Sequence, residues 1–360
     1  SDSKFYNIIN GKEVFDSNNS VNYKNTQSIL ASYIEYKLTL GKFSAKAGAR
    51  YEHTWENVEF ILGKGDDFKK NYGNLVPSAS FTYNIGAAVN VGVNYNMRIS
   101  RPGISFLNPY IDRSTPTVLT YGNPNLDVEE SHKVNLVFNA FTPKFMINLT
   151  LGEAFANNQI EQYSFMAANG ILNTTYGNIV RSRWTNFSTF INYSITPNTR
   201  IYLNGGFDYG DMRSDKLNQK KHAWQAMAFI GLQQTLPWNV KMSINTGGMT
   251  KRHTLQGYGN GFSMINLALA KDFFNEKLNV SLNYFTPFSG KIRQDQYSAG
   301  ADFTQRTNMV ISVQQVGLTL TWNFGNTKKQ FQTNKSNISN DFQEKKNDNQ
   351  VGGVGTGIGM

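Results

Sequence analysis

Hydrophobicity in this chain recurs at every second residue, a period that admits β-strands and excludes helices as the main element. Val89, Val91, Val93, Tyr95 and Met97 share one face of an extended segment, opposite Asn90, Gly92, Asn94, Asn96 and Arg98. Leu75, Pro77, Ala79, Phe81, Tyr83 and Ile85 are sorted in the same way against Ser78, Ser80, Thr82 and Asn84. The pattern returns at Ile201 to Tyr209, at Val240 to Ile244, at Ile265 to Leu269, at Leu278 to Tyr284 and at Val316 to Phe324. About thirteen such segments of roughly ten residues or more are expected, the length a tilted strand needs to cross a bilayer. Strands of soluble sandwiches are shorter, at about five or six residues.

Composition supports a wall with two chemistries. Aromatic residues make up 13% of the 360 residues and charged residues 17%. Mean hydropathy is -0.44, and no apolar run approaches the ~20 residues of a spanning helix. A barrel wall whose lipid-facing and lumen-facing side chains alternate keeps its mean hydropathy low while every second residue is apolar. The net charge of +10 is scattered over loops and strands rather than grouped, so nucleic acid is not an expected partner. There is no cysteine. Ser1-Asp2-Ser3-Lys4 is polar and lacks a hydrophobic leader core, so a secreted protein is expected to have lost its start.

Connections alternate in length. Compact turns are expected at Leu40-Gly41-Lys42, Asn84 to Ala87, Thr142-Pro143-Lys144, Thr196 to Thr199, Leu236 to Asn239 and Phe274 to Lys277. Long loops are expected at Asn57 to Tyr72, Ile99 to Glu130, Gln159 to Asn178, Asp211 to Lys220, Lys251 to Asn260 and Pro287 to Asp302. Short periplasmic turns facing long extracellular loops are the asymmetry of an outer-membrane barrel. The expected fold is therefore all-β, a transmembrane antiparallel up-and-down barrel over residues 1–325. A disordered periplasmic tail is expected over residues 326–360, where Lys328, Lys329, Lys335, Lys345 and Lys346 precede the glycine-rich Gly352 to Gly359. Counting back from Phe324 places Asn7 to Asn25 on the extracellular side and leaves an odd number of strands. Bacterial barrels are closed and even-numbered, so N-terminal strands are expected to be missing.

The most specific stretch is Arg98-Ile99-Ser100-Arg101-Pro102, then Leu107-Asn108-Pro109-Tyr110, then Gly122-Asn123-Pro124-Asn125-Leu126 and Glu129-Glu130-Ser131. Its order and spacing resemble the β-barrel of TonB-dependent receptors of the Bacteroidetes. The resemblance implies a barrel of twenty-two strands in the outer membrane of a Gram-negative bacterium, filled by an N-terminal plug domain. It also implies import of a ligand with energy relayed by TonB, and a surface lipoprotein as a possible partner. Read from the residues alone, Pro102, Pro109 and Pro124 mark sharp changes of direction, and Asn108, Gly122 and Asn123 are turn formers. The alternative for Arg98 and Arg101 is that they bind an anionic ligand or pin the plug from within the lumen.

Within Gln159 to Asn178, the aromatics Tyr163, Phe165 and Tyr176 with Met166 form a candidate recognition loop for a small molecule, peptide or glycan. His53, His132, His222 and His253 lack ligand spacing, so no metal site and no cofactor are expected. Asp66-Asp67 and Glu129-Glu130 read as solvated loop charge, and Gly257, Gly259 and Gly261 as turn residues. Tyr36, Tyr51, Trp55, Trp184, Trp224, Trp238 and Trp322 suit interfacial girdles. The leading expectation is an import receptor and not an enzyme. A passive porin-like or structural barrel stands second, and a soluble all-β binding or hydrolytic domain third.

Overall fold

The computed structural model describes residues 2–62, 67–115, 117–324 and 344–345. Five strands open the chain: β1 (Asp2–Ile9), β2 (Lys12–Leu40), β3 (Phe43–Leu62), β4 (Phe68–Asn84) and β5 (Val89–Pro102). A single helical turn, α1 (Ile104–Leu107), and two short strands, β6 (Asp112–Thr115) and β7 (Val118–Thr120), follow. The wall resumes with β8 (Glu129–Phe141), β9 (Phe145–Met166), β10 (Leu172–Thr196), β11 (Thr199–Ser214), β12 (Gln219–Leu236) and β13 (Val240–Met249). The last part holds β14 (Gly257–Tyr258), β15 (Phe262–Phe273), β16 (Leu278–Pro287), β17 (Lys291–Ala299), β18 (Thr304–Ser312) and β19 (Gln315–Trp322).

Fourteen of these strands are consecutive antiparallel neighbours in one sheet, from β1 through β5 and β8 to β13, β15, β16 and β19. All six expected compact turns join such neighbours. The first is closed by Gly41 at φ +58°, a conformation a side chain would strain. Among the described residues Tyr23 to Leu40 of β2 bonds on one side only, to β3, and β19 bonds only to β16.

Register separates two faces completely. Leu136 of β8 lies opposite Leu151 of β9, which lies opposite Phe187 of β10 and Phe207 of β11. One residue along, Ser80, Asn94, Asn135, Gly152, Asn186, Asp208 and Gln225 form one row across seven strands. The apolar face leaves large side chains outside any protein core: Leu30, Ile34, Val316, Leu318 and Leu320 are each more than 60% exposed. On the polar face amides bond to one another. Asn135 donates to Asn94 at 2.8 Å, Asn139 to Asn90 at 2.9 Å, and Asn148 to Asn139.

The expected loops are largely strand. β9 and β10 pair from Met166 and Leu172 downward, so Gln159 to Asn178 is a hairpin with a short tip. β11 and β12 likewise pair to Ser214 and Gln219, and Asn7 to Asn25 belongs to the β1–β2 hairpin, turned by Asn10 and Gly11 at positive φ. The 25 residues of β10 far exceed the ~9–11 that a bilayer requires. Above the bilayer both faces meet water, so alternation fades while the backbone ladder continues.

Of the expected girdle residues, Tyr36, Tyr51, Trp55, Trp224 and Trp322 stand on the apolar face, and Trp238 is exposed in a turn. Trp184 is the correction. It sits on the polar face, across from Gly210, packed beside Val180, Met212 and Ala223. The expected tail lies outside the described residues, apart from Glu344–Lys345, which run parallel to Arg101 and Pro102.

The two faces make a direct prediction. Leu151→Arg is expected to cost about 2–4 kcal/mol of folding free energy in lipid vesicles, whereas Thr150→Arg, its neighbour on the polar face, costs less than about 1 kcal/mol. Equal losses in denaturant titrations would overturn the assignment of faces.

Candidate functional site

The proline-rich stretch builds a knot that leans on the polar face. β5 pairs with β4 only up to Asn96, opposite Ser78, and above that point the chain leaves β4. The carbonyls of α1 need partners. Gly122 N–H donates to the Asn108 carbonyl at 2.8 Å and Asn123 N–H to the Phe106 carbonyl at 2.6 Å. A Cβ on Gly122 would lie 2.5 Å from the Asn108 oxygen and 2.6 Å from the Phe106 oxygen, so glycine alone permits this approach. The Asn123 side chain donates to the Tyr176 carbonyl at 3.0 Å, and its own oxygen accepts from Asn125 N–H at 2.9 Å. Asn108 closes a similar turn by accepting from Tyr110 N–H at 3.0 Å. Leu107 and Leu126 are fully buried beneath, with Phe106, Ile160 and Tyr176. Phe106 and Tyr176 stack with ring centroids 4.4 Å apart.

Arg101 anchors the base of this knot. Its guanidinium is 2% exposed, donates from Nε to Thr54 Oγ1 at 2.8 Å, and pairs with Glu52, which also receives Arg50 at 2.7 Å. Pro102 is buried beside it. Tyr72 of β4 donates to the Leu126 carbonyl at 3.4 Å, and Asn74 donates to Glu130 at 3.1 Å. Glu129 accepts from Ile160 N–H at 2.8 Å. The two adjacent glutamates are therefore pins to different strands, not solvated charge.

Arg98 has a different fate. It is exposed and lines a basin of about 570 Å³ on the polar face with Lys46, Lys133, Asn94 and Asn135. Lys46 is paired with Glu35 at 2.7 Å, whereas Arg98 and Lys133 form no ion pair among the described residues. The basin carries net positive charge in a setting of amides and hydroxyls, suited to an anionic group.

Higher up, β14, β17 and β18 form a separate three-stranded sheet. Asp295 is its hub, taking Arg306 at 2.9 and 3.3 Å and Lys251 at 2.8 Å. Hydrogen bonds from these two cations hold the Asp295 carboxyl down to about 2. Gln256 ties the loop before β15 to β9 by accepting from Ser164 N–H at 2.9 Å and donating to the Ser164 carbonyl at 3.0 Å. A cleft of about 470 Å³ remains between the outer sheet and the β9–β10 hairpin. Its walls include Ser164, Thr174 and Tyr176 on one side and Gln296, Ser298 and Thr307 on the other.

The candidate recognition residues divide. Tyr176 faces the cleft, while Tyr163 and Phe165 lie on the opposite face of the hairpin, where Lys216 donates to the Tyr163 hydroxyl at 2.6 Å. Met166 ends β9 at the hairpin tip. The part played by β17 and β18 leaves no mark in the sequence, because Gln296 and Thr307 lie in a polar segment without alternation. The histidines remain apart: His53 packs on Trp55, His132 between Tyr95 and Phe155, His222 beside Tyr209, and His253 beside Tyr258. Among the described residues no three histidines or carboxylates gather as a metal set. Asp67 accepts from Phe60 N–H at 2.6 Å, and Asp66 lies outside the described residues.

Comparison with known proteins follows the same geometry. The family described as "Outer membrane protein beta-barrel family" matches residues 1–322. Among solved structures, the ferric yersiniabactin uptake receptor FyuA from Yersinia pestis is similar with a TM-score of 0.61 and 13% identity, over 85% of this chain and 47% of that one. The copper transporter OprC gives a TM-score of 0.61 and 9% identity, over 88% of this chain and 52% of its own. The siderophore receptor PiuA from Acinetobacter baumannii gives 0.60 and 13%, over 86% and 44%. The chain thus spans about half the length of the structures it matches, and the likeness shows the fold. No curated protein matches the sequence.

Two outcomes test the site's construction. Arg101→Met strands Glu52 in a buried position and is expected to cost about 3–5 kcal/mol, with the double variant Arg101→Met/Glu52→Gln recovering part of it; a neutral single variant in denaturant titration would remove the anchor role. For Asp295, the folded carboxyl titrates below the ordinary 3.8, so its stabilisation is present above about pH 4 and lost as pH falls toward about 2. Limited acid proteolysis is expected to cut within 251–312 progressively over that window, and Asp295→Asn to abolish the pH dependence.

Proposed function

The chain belongs to the outer membrane protein β-barrel family, and from that membership we propose that it forms the receptor wall of a TonB-coupled importer that captures a nutrient outside the cell. Its place is the outer membrane, with the apolar face toward lipid and the amide-lined face toward the interior. The observation that carries the reading is the knot of residues 103–128. It leans on the polar face, is anchored by Arg101, and packs against Phe68, Ile160 and Tyr176. A loop packed and pinned in this way against the polar face supplies the built surface that a receptor needs at its outer end.

Several finer features belong to the same reading. The order Arg98, Arg101-Pro102, Asn108-Pro109 and Gly122-Asn123-Pro124 supports a receptor of the Bacteroidetes type. The unbonded edge of β2 from Tyr23 to Leu40 calls for further strands, because unpaired backbone groups in lipid cost several kcal/mol each. A closed wall of about twenty-two strands with a plug supplies them. Arg98 and Lys133 face the interior, where an anionic ligand group or an acidic plug surface would meet them. TonB and a surface lipoprotein complete the proposed set of partners. The solved structures of similar fold include a ferric yersiniabactin uptake receptor and a copper transporter, which favours capture and import over passive diffusion.

In planar bilayers the complete protein is expected to be electrically silent, and any uptake that depends on its gene is expected to vanish in a strain lacking TonB. Steady channel conductance together with TonB-independent uptake would replace this reading with the passive barrel.

A further inference from the structure

The outer cleft between the β9–β10 hairpin and the three-stranded sheet has a chemistry distinct from the rest of the polar face. We infer that this cleft, resting on the receptor reading above, is the capture site and that its ligand is a neutral oligosaccharide.

Charge is the first observation. No lysine or arginine lines the cleft, and its acid, Glu161, is already engaged, accepting from Leu255 N–H at 2.8 Å and from Gln159 at 3.3 Å. An anionic chelate or nucleotide would find no counter-charge there, unlike in the lower basin beside Arg98. The second observation is a surplus of amides and hydroxyls. Gln162 on the hairpin, and Gln296, Gln305 and Thr307 on the outer sheet, line the space with side chains that make no hydrogen bond among the described residues. Register places the outer-sheet groups on one face, since Gln296 lies opposite Thr307 and Ser298 opposite Gln305. Each glutamine offers two donors and an acceptor in one plane, the complement of adjacent sugar hydroxyls that both donate and accept.

Aromatic surface is the third observation. Tyr258 and Tyr297, both half-buried, stack at its side with centroids 5.4 Å apart, while the buried Phe106 and Tyr176 form only its floor. The C–H face of a sugar ring covers such surfaces while its hydroxyls reach the amides around them. The volume of about 470 Å³ falls within the ~300–1,000 Å³ of small-molecule sites. A peptide is the less suited occupant. Extended peptides bind by adding to a free strand edge, whereas beside the cleft the outer edge of β9 is capped by Glu129 at Ile160 and by Gln256 at Ser164, and β17 is bonded on both sides at Tyr297 and Ser298.

The test is calorimetric titration of the complete protein in detergent with maltoheptaose, xylohexaose, mannohexaose, hexagalacturonate and the hexapeptide Gly-Ser-Gly-Ser-Gly-Ser. At least one neutral sugar is expected to bind with Kd below about 1 mM, a modest affinity for a solvent-open site. Gln296→Ala/Gln305→Ala, and separately Thr307→Val, are expected to weaken it tenfold or more with Tm unchanged. Binding only of hexagalacturonate or of the peptide, binding of none of the five, or neutral-sugar binding unaltered in both variants would each overturn the inference. A silent bilayer record and TonB-dependent uptake alongside such a result would leave the receptor reading standing and remove only the sugar.

Discussion

Everything in this molecule depends on keeping backbone N–H and C=O groups paired where no water can reach them. In hydrocarbon each unpaired group costs several kcal/mol, and the antiparallel ladder from β2 to β19 is the device that satisfies them. The ladder dictates the two-residue alternation, because strands bonded side by side have only two faces to offer. It dictates the short turns as well, since neighbouring strands must reverse within a few residues. Gly41 at one turn, and Phe274, Asn275 and Glu276 in positive φ at another, show backbone conformation yielding to that demand.

The parts of the fold inside the bilayer were legible because lipid enforces a rule on every residue there. Val91, Val93 and Phe207 could be placed on one face and Asn90, Asn94 and Asp208 on the other from spacing alone. Above the bilayer that rule lapses. Gln159 to Asn178 reads as a loop, yet is a hairpin whose ladder continues with polar residues on both faces. Trp184 reads as a girdle residue from its type, but its even position in β10 turns it inward. The outer sheet was illegible because Lys251, Asp295 and Arg306 are brought together by tertiary structure and carry no local spacing signal.

Arg98 and Arg101 show how three residues of separation can divide two roles. Both were candidates for ligand or plug contact, and an unbroken strand would have set them on opposite faces. The departure of β5 from β4 above Asn96 instead carries Arg101 across to Glu52 and Thr54, where its charge is consumed in holding the knot. Arg98 stays in the wall with its charge available. The motif prolines and Gly122 go with Arg101, and the basin belongs to Arg98.

The rows of asparagine on the polar face have a kinetic meaning. Asn90, Asn139 and Asn148, like Asn94 and Asn135, satisfy one another across the strands. In the importer proposed above, a solute passing along these rows meets few open amide groups, Asn135 Oδ1 being one that stays unpaired. The wall is in effect a low-friction lining, wettable but not adhesive. Friction rises at the charged basin of Arg98 and Lys133, and again at the outer mouth, where the amides of Gln296 and Gln305 stand unpaired.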